Sequence, residues 1–299
     1  MNLNIHTGLA ARFKLQVRKV GTNKITRESA WSDNIVLDSG LARMSVGNWF
    51  DRCCVGTGNS TPVASQVALD SFLASTTSVS TSEIQSHTTT PYYVATTNKW
   101  RFAIGVAAGN ISEIGLGWGN SNLWDRALIK DANGNPTTIT VLADEYLDVT
   151  SEVRVYPKAS TTGTFNLLDK TGAIKSTHTF TGMPVIYSYN AVGLQVRPTR
   201  LAISGYAMGA SVSGIIDNNQ TSASTYEITY PTSTSVKTIF TLALGAAVGT
   251  HMSFGVGLEI SGGSNYQGYK FQIATPIEKT NLQVMTYIIT MSWGRYTGA

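Results

Sequence analysis

From Arg12 to Arg18 the chain alternates strictly, with Phe13, Leu15 and Val17 on one side and Arg12, Lys14, Gln16 and Arg18 on the other. A period of two is the signature of a strand with one buried face, because successive side chains on extended backbone point to opposite sides. The polar turn Gly21-Thr22-Asn23-Lys24 follows, then Ile25 to Trp31, so the opening reads as a hairpin. Strand patterns recur at Lys99–Val106, Ile111–Trp118, Leu123–Ile129, Thr137–Leu142 and Tyr146–Tyr156, with a strong turn signal at Asp131 to Pro136. Beyond these come Phe165–Leu168, Ser176–Phe180, Val185–Tyr189, Leu194–Val196, Val236–Leu244, Met252–Ile260, Tyr269–Ile273 and Leu282–Trp293. Short strands at this spacing predict an all-β chain of antiparallel β-sandwich domains.

Helix is confined to one or two short segments. Asp38 is placed to cap a helix running through Leu41 to Trp49, with Gly40 unfavourable inside it, and Val63 to Ala74 has the spacing of a short surface helix. The Ser/Thr-rich run from Ser75 to Thr90 reads as a loop or irregular edge. Pro157 to Gly163 reads as a boundary, which divides the chain into residues 1–157, an N-terminal β-sandwich, and 158–299, a second β-rich domain or an insertion into the first. The final strand, Leu282 to Trp293, carries apolar residues on both faces, as in a central or interface strand. No fixed-period repeat, heptad or collagen-like run is evident, against a fibrous shaft.

Charged residues make up 13% of the 299, about half the usual share, so solubility rests on neutral polar side chains. The net charge of +4 comes from dispersed Lys and Arg with no basic stripe, which argues against nucleic acid as a partner. No signal peptide or long apolar run is visible, so neither secretion by that route nor membrane insertion is expected. Adjacent Cys53 and Cys54 are poorly placed for an ordinary disulfide and read as reduced core residues, consistent with assembly in a cytoplasm.

Chemistry does not converge anywhere. His6, His87, His178 and His251 lack companions at metal-ligand spacing, and Gly56 to Thr61 lacks the Lys of a phosphate loop, so it reads as a turn before a short helix. Asp144, Glu145 and Asp148 offer a glycosidase-like set of carboxylates but read as exposed loop acids. Ser204 lies in no nucleophile elbow, and Trp100, Trp118, Trp124 and Trp293 sit in or beside strands, where a core role is the default. Catalytic, cofactor-binding and metal residues are accordingly expected to be none.

Three segments carry a resemblance. WSDNIVLDSGL from Trp31 to Leu41, with VGTGNSTPVASQVALDSFLAST from Val55 to Thr76, is similar to an opening loop, small helix and GTG-T-P stretch of tail-fibre and related virion proteins of tailed bacteriophages. FAIGVAAGNISEIGLGWGNSNLWDRAL, Phe102 to Leu128, resembles that family's Gly-Asn-Ile-x-Glu-Ile-Gly-Leu strand and the aromatic-x-Arg-Ala strand after it. ITVLADEYLDVTSEVRVYP, Ile139 to Pro157, resembles a third strand, and Ile277 to Tyr296 resembles the closing one. The resemblance implies a virion structural protein without catalytic residues: a homo-oligomeric fibre, collar or baseplate component contacting other tail or neck proteins, assembled in the host cytoplasm, with residues 1–157 docking onto the particle and the closing strand 277–296 returning to that first domain. A host-surface glycan-binding module is the competing expectation, marked by exposed aromatics in loops after Gly182. A head-associated decoration protein and a glycan-cleaving enzyme come behind both.

Overall fold

The computed structural model describes residues 2–186, 192–213, 221–222, 225–259 and 267–298. It is almost entirely β, as the alternation requires. Numbered in chain order, a nine-stranded sheet is arranged as β19 (Thr225–Thr232), β20 (Ser235–Leu242), β23 (Met285–Arg295), β1 (Asn2–Lys19), β14 (Glu145–Pro157), β8 (Tyr93–Phe102) and β7 (Val79–His87), with β2 (Ile25–Glu28) and β3 (Ser32–Asp33) also on β1. A second sheet runs β4 (Ile35–Val36), β12 (Asp125–Leu128), β10 (Glu113–Gly119), β5 (Arg52–Gly56) and β6 (Phe72–Thr76), with β11 (Asn122–Leu123) on β10. A third runs β15 (Thr161–Leu168), β16 (Ile174–Ile186), β22 (Gln267–Lys279), β21 (Gly249–Leu258), β17 (Pro198–Ser204) and β18 (Thr221–Ser222). A small ribbon pairs β9 (Gly109–Ile111) with β13 (Ile139–Val141).

The first strand is much longer than its alternating segment. Leu3, Ile5, Thr7, Leu9, Ala11, Phe13, Leu15 and Val17 are all buried, so one face of β1 is covered from end to end while the other keeps its charged side chains. Thr7 on the covered face meets Tyr269 of the third sheet, and one continuous apolar cluster joins all three large sheets. The nine-stranded sheet is therefore one layer of a sandwich whose other layer is the two smaller sheets side by side.

Both halves of the chain build the same unit. Phe102 faces Leu147 as Leu242 faces Met285, and Gly109 faces Val141 as Gly249 faces Lys279. Cys53 faces Leu116 as Leu201 faces Val256, and Val36 faces Asp125 as Pro184 faces Tyr269. Ala103, Gly105, Ala107, Gly109, Gly115 and Gly117 recur as Ala243, Gly245, Ala247, Gly249, Gly255 and Gly257. Gly105 and Gly245 hold matching positive φ values of 72° and 70°, which a side chain would strain. Insertions and deletions move the offset from 148 residues, Val36 to Pro184, to 138, Leu147 to Met285. That drift is why no fixed period shows in the sequence.

β1 serves both units. Its residues Thr7–Lys19 pair antiparallel with β14, and Asn2–Leu9 pair parallel with β23. This parallel ladder departs from the antiparallel expectation. The last strand is central, flanked by β20 and β1, with Met285, Tyr287, Ile289, Met291 and Trp293 buried.

Several local expectations are corrected. Val63 to Ala74 is turn followed by β6, and the run from Ser75 contains strand β7, because Thr81 to His87 pair residue by residue along β8. The described residues contain one short helix, α1 (Asp38–Arg43), whose N-cap is Leu37 rather than Asp38. The turn at Gly56 likewise leads to no helix, because the backbone N–H groups of Gly58, Asp70 and Ser71 are drawn to the Glu113 carboxylate. Val185 to Tyr189 runs past Ile186 into residues outside those described, as does Ile260. Leu194 to Val196 is not a strand.

Candidate functional site

The carboxylates singled out in the sequence do not form an acid–base pair. Asp144 is exposed and pairs with Lys19. Glu145 and Asp148 are buried within β14, contrary to the exposed loop expected, because their side chains are absorbed by cross-strand cations. Asp148 binds Arg101 at 2.7 and 2.8 Å and Arg18 at 3.1 Å. Burial works against the Glu145 charge, but the Leu142 N–H, the Thr26 hydroxyl and Arg27 hold its pKa below the ordinary value. Each acid stitches neighbouring strands.

The histidines are dispersed as well. His251 is buried between the Tyr287 hydroxyl at 2.7 Å and the Ala247 carbonyl at 2.7 Å, and His178 bonds Ser176 and the Thr275 carbonyl. Among the described residues no three His, Cys, Asp or Glu side chains gather as a metal-binding group. Ser204 is buried in β17, as packing would have it. Trp100, Trp124 and Trp293 are core residues, while Trp118 is half-buried beneath the Arg43 guanidinium, 5.3 Å from its ring centre. Cys53 and Cys54 are free and buried.

A different set of residues is brought together where β1, β14 and the C-terminal segment meet. Tyr156 closes β14, Tyr296 follows β23, and their rings stack at 3.7 Å with an interplanar angle of 5°. Gly8 of β1 lies between them, facing Tyr156 in register, and a Cβ there would stand 3.1 Å from Tyr296. The missing side chain is what lets the two rings meet across β1. The row continues through Tyr93, 5.3 Å from Tyr156, to His87, stacked on Tyr93 at 4.6 Å. Arg154 lies 4.6 Å over the Tyr93 ring and donates to the Tyr156 hydroxyl at 3.1 Å.

Beside this row opens a cleft of about 670 Å³, lined among others by His6, Tyr92, Tyr156, Lys158, Arg295 and Tyr296. The backbones of two lining residues are tied together by Tyr269, whose buried hydroxyl donates to the His6 carbonyl at 2.7 Å and accepts the Lys158 N–H at 3.1 Å. Burial pushes the Tyr269 phenol up to about 12. Burial, then the nearby Lys158 charge, lowers the His6 pKa, which keeps the imidazole neutral at pH 7. Among the described residues no Asp or Glu side chain lines the cleft. Arg295 is anchored to the Val36 carbonyl and Asp38, whereas the Lys158 ammonium enters no salt bridge among the described residues.

Sequence reading missed these tyrosines. Tyr156 and Tyr296 each end a long apolar strand, but nothing local indicates that β1 brings the two ends together. An aromatic-lined, cationic recess of this size suits a small polar ligand with a flat apolar face.

No family model matches the chain, and neither a curated protein nor a solved structure is similar to it.

Proposed function

We propose that the chain is a non-catalytic structural subunit of a tailed-phage particle, acting as a homo-oligomer in a tail fibre, collar or baseplate. The reading rests on where the residues of the family-like segments fall. Glu113, in the Gly-Asn-Ile-x-Glu strand, and Arg126, in the aromatic-x-Arg-Ala strand, are both fully enclosed and pair at 2.8 Å. Glu113 also accepts the N–H groups of Gly58 at 2.9 Å, Asp70 at 3.0 Å and Ser71 at 2.8 Å, so the pair fixes a loop to a sheet. The most specific shared residues thus serve architecture, as a rigid assembly part requires. Mass-spectrometric inventory of purified particles, followed by reconstruction with the chain assigned to density, tests this. A symmetric tail position is expected; absence from the particle would overturn it.

A second reading, attachment to host-surface glycan, is favoured by the tyrosine cleft and by Tyr206. The latter follows β17 in a bend and is 57% exposed, an aromatic of the kind expected beyond Gly182. Tyr187, Tyr189 and Tyr266 lie outside the described residues.

A further inference from the structure

We infer that the cleft between Tyr156, Tyr296 and Lys158 binds an acidic saccharide, a sugar ring carrying a carboxylate. The inference rests on the glycan-attachment reading and assigns its ligand class. Three observations converge on it. The volume of about 670 Å³ falls within the range of small-molecule sites and accommodates more than one sugar ring. Tyr92 and Tyr296 are half-buried at its wall, presenting ring surface of the kind that packs against the apolar face of a pyranose. Lys158 and Arg295 line the recess, and no Asp or Glu side chain is among its described lining residues, so with Arg295 paired to Asp38 the Lys158 ammonium is the unshared charge.

The two cations differ in role. Arg295 is already held by Asp38 and the Val36 carbonyl, so it contributes field and shape. Lys158 is fixed through its backbone, by the Tyr269 hydroxyl, while its side chain has no salt-bridge partner among the described residues. It is the group positioned to meet a ligand carboxylate. His6, neutral and bonded to Ser292 at 2.9 Å, adds polarity without competing charge.

The test is calorimetric titration of the full chain with an oligogalacturonate and with a neutral oligogalactoside of equal length. Binding of the acidic oligomer, at least about tenfold tighter than the neutral one, is expected. Lys158→Gln should weaken it by about tenfold, and Tyr296→Ala should abolish it. Because Tyr296 packs on Tyr156, the Lys158 variant decides the matter if the Tyr296 variant melts early. No binding of the acidic oligomer, equal binding of both oligomers, or an unchanged affinity in Lys158→Gln would overturn the assignment. Equal binding of both oligomers would remove the acidic assignment and leave the glycan-attachment reading standing, whereas binding of neither would remove both, so the two failures are distinguishable.

Discussion

Arg126 Nη2 lies 2.8 Å from Glu113 Oε2 and 2.7 Å from Asp70 Oδ2, and it forms these bonds with no exposed surface of its own. Its Nη1 is occupied by Gln66 at 2.8 Å, so a single guanidinium ties β12 to β10 and to the loop that precedes β6. At the corresponding place in the second unit stand Ser253 and Lys270, where the buried ammonium bonds the Ser211 carbonyl.

Arg126→Met leaves the enclosed Glu113 without a cation, and Glu113→Gln leaves the enclosed Arg126 with only the partly exposed Asp70 as counter-charge. Glu113→Gln and Arg126→Met are each expected to cost about 3–5 kcal/mol, measured by chemical denaturation. In a double-mutant cycle the two changes together should cost less than their sum, since the double variant buries no orphan charge.

Asp125 adds a pH dependence. Its carboxyl is enclosed, accepts the Leu116 N–H at 2.6 Å and Asn34 at 2.6 Å, and is pushed by burial up to about 7. The folded chain therefore holds a proton there that the unfolded chain, with an ordinary carboxyl, releases near pH 4. Between about 4 and 7 this group makes stability fall as pH rises, by up to about 1.4 kcal/mol per pH unit. Asp125→Asn should flatten that part of the stability profile, as followed by urea midpoints across the window.

Gly40 sets helix propensity against packing. Alanine would favour α1 by about 1 kcal/mol, yet its Cβ would stand 2.1 Å from the Trp124 carbonyl oxygen. Backbone cannot yield as a flexible side chain would, so overpacking wins. Gly40→Ala is expected to lower stability by about 1–3 kcal/mol, readable as a drop in melting temperature.

The cysteines should be chemically silent in the native state. Burial pushes the Cys53 thiol well above its ordinary value and Cys54 up to about 12. Thiolate is the nucleophile, so both should resist alkylation at pH 8 in the folded chain and react in denaturant. Rapid labelling of native protein would contradict their enclosure.

The strand content, the buried face of β1 and the core placement of most tryptophans were legible in the sequence because each follows from local periodicity. β7 was not, since an edge strand with both faces exposed has no alternation to display. Nor was the role of Gly40 within α1, where the close approach of the Trp124 backbone decides the packing. The inward carboxylates Glu145 and Asp148 were misread for a related reason: their partners, Arg27, Arg18 and Arg101, lie on other strands.

By itself, then, the sequence determined that this chain folds as layered β-sheet, because side-chain alternation is written residue by residue. Tertiary structure alone decided that β1 spans two like units, that Glu113 meets Arg126, and that Tyr156 stacks on Tyr296 beside Lys158. Those are contacts between residues on different strands, from 13 residues apart for Glu113 and Arg126 upward, and their register depends on strand pairing that no local pattern encodes.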